Sequence, residues 1–187
     1  MRIKLLAAAC MLALSACSPS LKHDINMPNI PAAGVSKNLN AGGVELMVNP
    51  FIDSRSSATI IFYRDKQLKA KGDAAAAVEA KVKQQLEQGG FAFNTGAPIA
   101  LSGELRTWEA RVSSGFPAEV TSKAAVYVEV RDPTNKRIYS GEYSGTASKE
   151  HPNLDEKDVS ETLGTAMQQA INQLFADQQL MDILQSF

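Results

Sequence analysis

The sequence predicts an α+β domain: a mainly antiparallel sheet with two long helices packed on one face, in the order β-α-β-β-β-α. Two observations carry that expectation. Residues 99–105 and 124–131 alternate apolar and polar side chains with period two, the pattern of half-buried antiparallel strands, and a turn at 132–136 adds a third strand to the meander. On either side of them, residues 74–88 and 152–175 repeat apolar side chains at i, i+4 and i+8, the pattern of helices with one buried stripe. Helices before and after a strand meander bury such stripes against the sheet.

Taken in order, Val44, Leu46 and Val48 alternate with Glu45, Met47 and Asn49, and this first strand ends in Pro50-Phe51-Ile52-Asp53-Ser54-Arg55. Ala58 to Tyr63, rich in β-branched and aromatic residues, is a second short strand. Asp73 is placed to cap a helix over Ala74 to Gln88, which Gly89-Gly90 closes; Val78, Val82 and Leu86 form its stripe, with Ala75 and Gln85 beside it. Phe91 to Phe93 restarts extended chain, and after the turn at residues 94–98 a long strand runs from Ile99 to Ser113 with Ile99, Leu101, Gly103 and Leu105 on one face. Ala124, Val126, Val128 and Val130 mark the next strand. The turn Asp132-Pro133-Thr134-Asn135-Lys136 joins it to Arg137–Ser148 as a hairpin. Pro152, Asn153 and Asp155 open the last long helix, in which Val159, Leu163, Met167, Ile171 and Leu174 line one face, widened by Ala166, Ala170 and Phe175; a shorter continuation starts at Asp177.

The N-terminus carries a different kind of signal. Arg2 and Lys4 precede an apolar run from Leu5 to Leu14, the length of a signal-peptide core and well short of the roughly 20 residues a spanning helix needs. Leu14-Ser15-Ala16-Cys17 follows in register and resembles the lipobox of bacterial lipoproteins. That resemblance implies cleavage after Ala16, with diacylglycerol and palmitate-type acyl chains on Cys17. It also implies sorting to the outer membrane, because Ser18 stands where an inner-membrane protein carries Asp. Residues 1–16 are therefore read as signal peptide, 17–43 as a lipidated N-terminus and flexible tether rich in Pro, Gly and Asn that either lifts the domain off the bilayer or lies in part along its surface, and 44–187 as a single periplasmic domain. Without Arg2 and Lys4, 17 basic side chains face 20 acidic ones, a net charge of −3 that disfavours nucleic acid as a partner. Cys10 lies in the signal and Cys17 carries lipid, so the domain is expected to fold without a disulfide.

The lipobox, the segment from Val48 to Arg55, the Asp73 helix closing in Gly89-Gly90-Phe91, and the hairpin before a Leu-rich C-terminal helix together resemble the YajG-type bacterial lipoproteins. The resemblance covers most of the mature chain. It implies fold and compartment and brings no catalytic residue with it.

Residue chemistry points the same way. His23 and His151 have no cysteine or paired carboxylate at ligand spacing, so neither metal nor cofactor is expected. Glycine-rich phosphate loops, Gly-x-Ser-x-Gly and His-Glu-x-x-His are missing from the sequence. Asp155, Glu156, Asp158 and Glu161 cluster at a helix start, where they oppose the macrodipole, and Asp53 with Arg55 reads as a turn cap and ion pair. The expectation is a membrane-anchored, non-enzymatic accessory or binding module of the cell envelope; the alternative is a periplasmic hydrolase acting on wall or lipid. Arg106, Trp108 and Arg111 are the candidate partner-binding residues. In an unbroken strand Arg106 and Trp108 would point away from Leu101 and Leu105, and Trp and Arg are enriched at binding hot spots. The alternative is that Trp108 packs under the tether or the C-terminal segment while Arg106 pairs with a neighbouring Glu on the surface.

Overall fold

The computed structural model describes residue 21 and residues 24–32, 41–64 and 66–187. Cys17 and His23 lie outside them. The elements are β1 (Ile25–Asn26), β2 (Glu45–Val48), β3 (Ile52–Asp53), β4 (Thr59–Tyr63), β5 (Lys66–Lys71), α1 (Ala74–Gln88), β6 (Ala92–Phe93), β7 (Ala100–Val112), β8 (Ala118–Arg131), β9 (Arg137–His151), α2 (Glu156–Ala176) and α3 (Gln178–Gln185).

The meander forms as the alternation predicts, with β7, β8 and β9 pairing antiparallel in sequence order. The rest of the sheet corrects the mainly antiparallel expectation, because the sheet is mixed. Chain 45–63 runs along the other edge of β7 as a broken strand: β2, β3 and β4 pair parallel to its start, middle and end in turn. The reason is connectivity. After β4 the chain returns through β5 and α1 to the end of the sheet where β2 begins, the Gly89 and Gly90 carbonyls accepting from the backbone N–H groups of Ala41 and Gly43. β7 therefore starts beside β2 and runs the same way as β2, β3 and β4. Beyond β4 lie β5, antiparallel to it, and then β1, parallel to β5; β6 pairs parallel to β2.

The helices number three among the described residues, of 15, 21 and 8 residues, where two long ones were expected. The side chain of Asp73 caps α1 by accepting from the amide of Ala76 at 3.0 Å. Asp155 and Asp158 close a reciprocal capping box on α2, each carboxylate accepting from the other's backbone N–H, which accounts for part of the acidic cluster. The predicted stripe of α2 is fully buried, and the helix lies across β7, β8 and β9. It sits close to β9 because Gly145 faces the α2 backbone, where a Cβ would stand 2.1 Å from the carbonyl oxygen of Ala166. At Asp177 the chain turns into α3. There Asp177 caps α3 through Leu180 N–H at 3.1 Å while its other oxygen accepts from the hydroxyls of Tyr139 and Tyr143, tying the turn to β9.

Part of the stretch expected to be a tether is docked on the domain. Leu21, Ile25 and Ile30 are buried, and Ile25–Asn26 add a strand to β5. Asn29 lies so close to α2 that a Cβ on Gly164 would meet its carbonyl oxygen at 2.1 Å, and Gln168 donates from Nε2 to the Ala32 carbonyl at 2.7 Å. Apolar residues three to five apart among the prolines and asparagines give this strap enough buried area to outweigh the entropy of ordering it. No described helix is long and apolar enough to cross a membrane.

Candidate functional site

The side of β7–β9 away from α2 is polar and partly or fully exposed, with Ser102, Glu104, Glu109, Lys123, Glu129 and Glu142 on it. Where the candidate residues fall is decided by one irregularity. The register of β7 on β8 slips between Leu105 and Thr107, so Arg106 is an extra residue in a β-bulge. Up to Leu105 the odd-numbered side chains point into the core; after the bulge the even-numbered ones do, and Trp108, Ala110 and Val112 are buried. Trp108 is 1% exposed, and its Nε1–H donates to the Leu163 carbonyl in α2 at 3.1 Å. It therefore does not belong to an exposed partner-binding patch, because the bulge turns it inward. The sign was present in the sequence: the apolar phase changes from Leu101 and Leu105 to Trp108, Ala110 and Val112 while that of β8 never changes.

Arg106 and Arg111 do lie on the outer face. Glu104, Tyr127 and Glu142 stand in one row across β7, β8 and β9. Arg106 lies along that row with its guanidinium 4.1 Å from the centre of the Tyr127 ring, donating to Glu142 at 2.5 Å and to Glu104 at 3.3 Å. The hydrogen bond to Glu142, with lesser help from Glu104, raises the pKa of the arginine above its ordinary value. Arg111 repeats the arrangement on the next strand pair, 4.8 Å over the Phe62 ring and 3.3 Å from Glu109. Arg106 is thus fixed over an aromatic face by two carboxylates, whereas Arg111, more exposed, has one.

Beside this face lies a cleft of about 460 Å³, lined by Met27, Asp53, Arg55, Lys69 and Asp73 among others. Arg55 donates from Nε and Nη2 to the two oxygens of Asp53 at 2.8 and 2.7 Å, and its side chain is only 9% exposed. The Arg55 hydrogen bond holds the Asp53 carboxyl below the usual range against the opposing effect of burial. The expected ion pair is present, and it leaves Nη1 of Arg55 buried without a partner. Arg55 also borders a smaller cleft of about 90 Å³ that reaches Arg106 and Glu109 over the bulge.

Other titratable groups are held in structural roles. His151 is buried with Nδ1 3.1 Å from Asp158, itself half of the α2 capping box. Burial pushes the Tyr143 hydroxyl up, while on Asp177 hydrogen bonds from Tyr139, Tyr143 and the first amides of α3 outweigh burial and hold the carboxyl down. Among the described residues, no group of three or more His, Cys, Asp or Glu side chains is arranged to hold a metal ion.

A family model described as an uncharacterised lipoprotein matches residues 31–185, most of the chain. Protein XCC0632 from Xanthomonas campestris is similar in structure, with a TM-score of 0.62 at 14% identity over 87% of this chain and 98% of that one. Lipoprotein GNA1162 from Neisseria meningitidis has a TM-score of 0.40 at 9% identity, over 62% and 90% of the two chains. A minor lipoprotein from Acinetobacter baumannii has a TM-score of 0.42 at 14% identity, over 76% and 91%. At such identity the first likeness concerns the fold alone, and the other two are too distant in shape to support more. No curated protein matches the chain.

Proposed function

Because the chain belongs to the family of uncharacterised lipoproteins, we propose that it is a lipid-anchored, non-enzymatic binding module of the outer membrane, facing the periplasm. In this reading Cys17 carries the acyl chains. Each buried methylene is worth about 0.8 kcal/mol, so two or three chains hold the protein on the bilayer for long times. Ser18 after the lipidated residue supports export to the outer membrane. An envelope protein is the partner, met by the outer sheet face around Arg106 and Arg111.

The observation that carries the binding role is the row Glu104–Tyr127–Glu142 with Arg106 fixed over the ring. Arginine and tyrosine are hot-spot residues when a partner shields them from water. Here they sit on a rigid sheet with their rotamers already set, so little side-chain entropy is left to lose on association. Of the carboxylates near the face and cleft, Asp53, Glu104, Glu109 and Glu142 are each paired with an arginine. Such pairing suits recognition better than acid/base catalysis.

Two experiments test the two halves of this reading. Cys17→Ser is expected to accumulate uncleaved precursor without acyl label; processing that continues normally, with no lipid on the wild type by mass spectrometry, refutes the anchor. For the binding face, a photo-crosslinking residue at Lys123 should capture a recurring envelope protein in cells, and one at Ala80 on α1 should not. Replacing Arg106 and Arg111 together by alanine should lower that capture about tenfold, equivalent to roughly 1.4 kcal/mol. Equal capture from both positions removes the proposed face.

A further inference from the structure

Leu21 is 1% exposed, and its carbonyl accepts from Lys66 Nζ at 3.4 Å, so the chain is fastened to the domain only four residues after Cys17. Four fully extended residues span at most about 14 Å. Given the lipid anchor proposed above, on which this step rests, the docked end of the domain is held against the bilayer and not raised above it by a long tether. Which end that is follows from the register. Lys66 pairs with Tyr63, Tyr63 with Val112, and Val112 with Val120, so the anchor, the β4–β5 turn and the tip of the β7–β8 hairpin share one end of the sheet. Leu21 precedes β1, and β1, β5, β4 and β7 are successive strands, so Leu21 and that tip are about three strand spacings apart, near 15 Å.

The hairpin tip is Ser113-Ser114-Gly115-Phe116-Pro117, exposed throughout and uncharged. Phe116 is 77% exposed, the most exposed of the large apolar side chains described. A single exposed phenylalanine is ordinary on a protein surface. One at the apex of a hairpin, among uncharged neighbours and within reach of an acyl anchor, is in the position of an interfacial aromatic. Charges flank the tip on both sides: Arg64, Lys66 and Arg111 on the anchor side, and Glu119, Lys149 and Glu150 with the acidic start of α2 on the other. Ile52 and Phe187, the other exposed large apolar residues, are elsewhere: Ile52 is paired with Glu104 midway along β7, and Phe187 follows α3, whose cap is held by Tyr139 near the start of β9.

We infer that the tip of the β7–β8 hairpin inserts Phe116 into the headgroup region of the bilayer that holds the Cys17 lipid, making a second, reversible membrane contact. The long strands then rise from the membrane and the turn at residues 132–136 points away from it. Arg106, six residues before the end of β7, stands about 20 Å above the tip's base, clear of the headgroups.

The test uses the full, lipidated chain in vesicles of phosphatidylethanolamine and phosphatidylglycerol. Ser114→Cys, with Phe116 intact, takes a fluorophore, because the thiol of Cys17 is already acylated; Lys136→Cys is the control at the opposite end. A spin-labelled lipid should quench the label at 114 at least threefold more than at 136, and adding Phe116→Ser should reduce that quenching by half or more. Equal quenching at the two positions, or quenching at 114 that Phe116→Ser leaves unchanged, overturns the inference. Mass spectrometry of Cys17 in the same sample separates the two possible failures. Missing lipid removes the anchor and this contact together, whereas a lipidated protein with no quenching at 114 removes the contact alone.

Discussion

Trp108→Ala is expected to cost the domain about 3–5 kcal/mol, the range for deleting a fully buried aromatic side chain. Two terms add up in that figure. The ring is enclosed between β7 and α2, so its removal leaves a large cavity that a long β-strand and a long helix cannot collapse to fill. The hydrogen bond from Nε1 to the Leu163 carbonyl is also lost, a net contribution of about 1 kcal/mol. Trp108→Phe separates the terms, since it keeps most of the apolar volume and deletes the donor; it should cost clearly less than the alanine variant. Urea unfolding checks both, with the midpoint lowered and the slope unchanged. A loss below about 1 kcal/mol for Trp108→Ala, accompanied by weaker partner capture, would put the ring back on the binding face.

The inward turn of Trp108 shows what kind of information the sequence carries openly. The extents of α1 and α2 were legible because their determinants are local: Asp73 and Asp155 at the caps, Gly89-Gly90 as a stop, and a stripe at helical spacing. The β8–β9 hairpin was legible for the same reason, its turn held by Asp132 accepting from Thr134 and Lys136 backbone N–H groups. The parallel pairing of β2, β3 and β4 with β7 was not, because period-two alternation says that a strand is half-buried and nothing about which distant strand it meets. Residues 24–32 were obscured differently. Proline and asparagine dominate the composition, while Ile25 and Ile30, which do the docking, are too few to register as a periodic pattern. In the candidate site the Asp53–Arg55 pair was readable from its spacing of two. The row that fixes Arg106 was not, since Glu104, Tyr127 and Glu142 come from three strands and meet only through register.

Gly145→Ala should destabilise the domain by about 3 kcal/mol, at the upper end of what overpacking costs. Two effects oppose each other at this position. Glycine is a poor strand residue, and alanine would gain roughly 0.5–1 kcal/mol in backbone entropy. Against that, the new Cβ would lie 2.1 Å from the Ala166 oxygen and 2.7 Å from the Ala170 nitrogen, both backbone atoms of α2. No rotamer change relieves a clash with backbone. The helix would have to lift off β9 by an ångström or more, loosening a contact that also seats Leu163 and Met167 in the core. The surrounding residues are correspondingly small, with Ala124 paired to Gly145 and Ala166 and Ala170 on the helix. The steric term therefore wins, and the melting temperature should fall by roughly 6–12 °C for a domain of this size. Gly141→Ala, four residues away on the same strand, is the control. There the nearest atoms are the hydroxyls of Tyr139 and Tyr143 at 2.8 Å, side-chain ends that can shift only by straining their hydrogen bonds to Asp177, so its cost should stay smaller, about 1–2 kcal/mol. A neutral Gly145→Ala, or equal losses at the two glycines, would mean that the close backbone approach of α2 to β9 is not what holds the helix on the sheet.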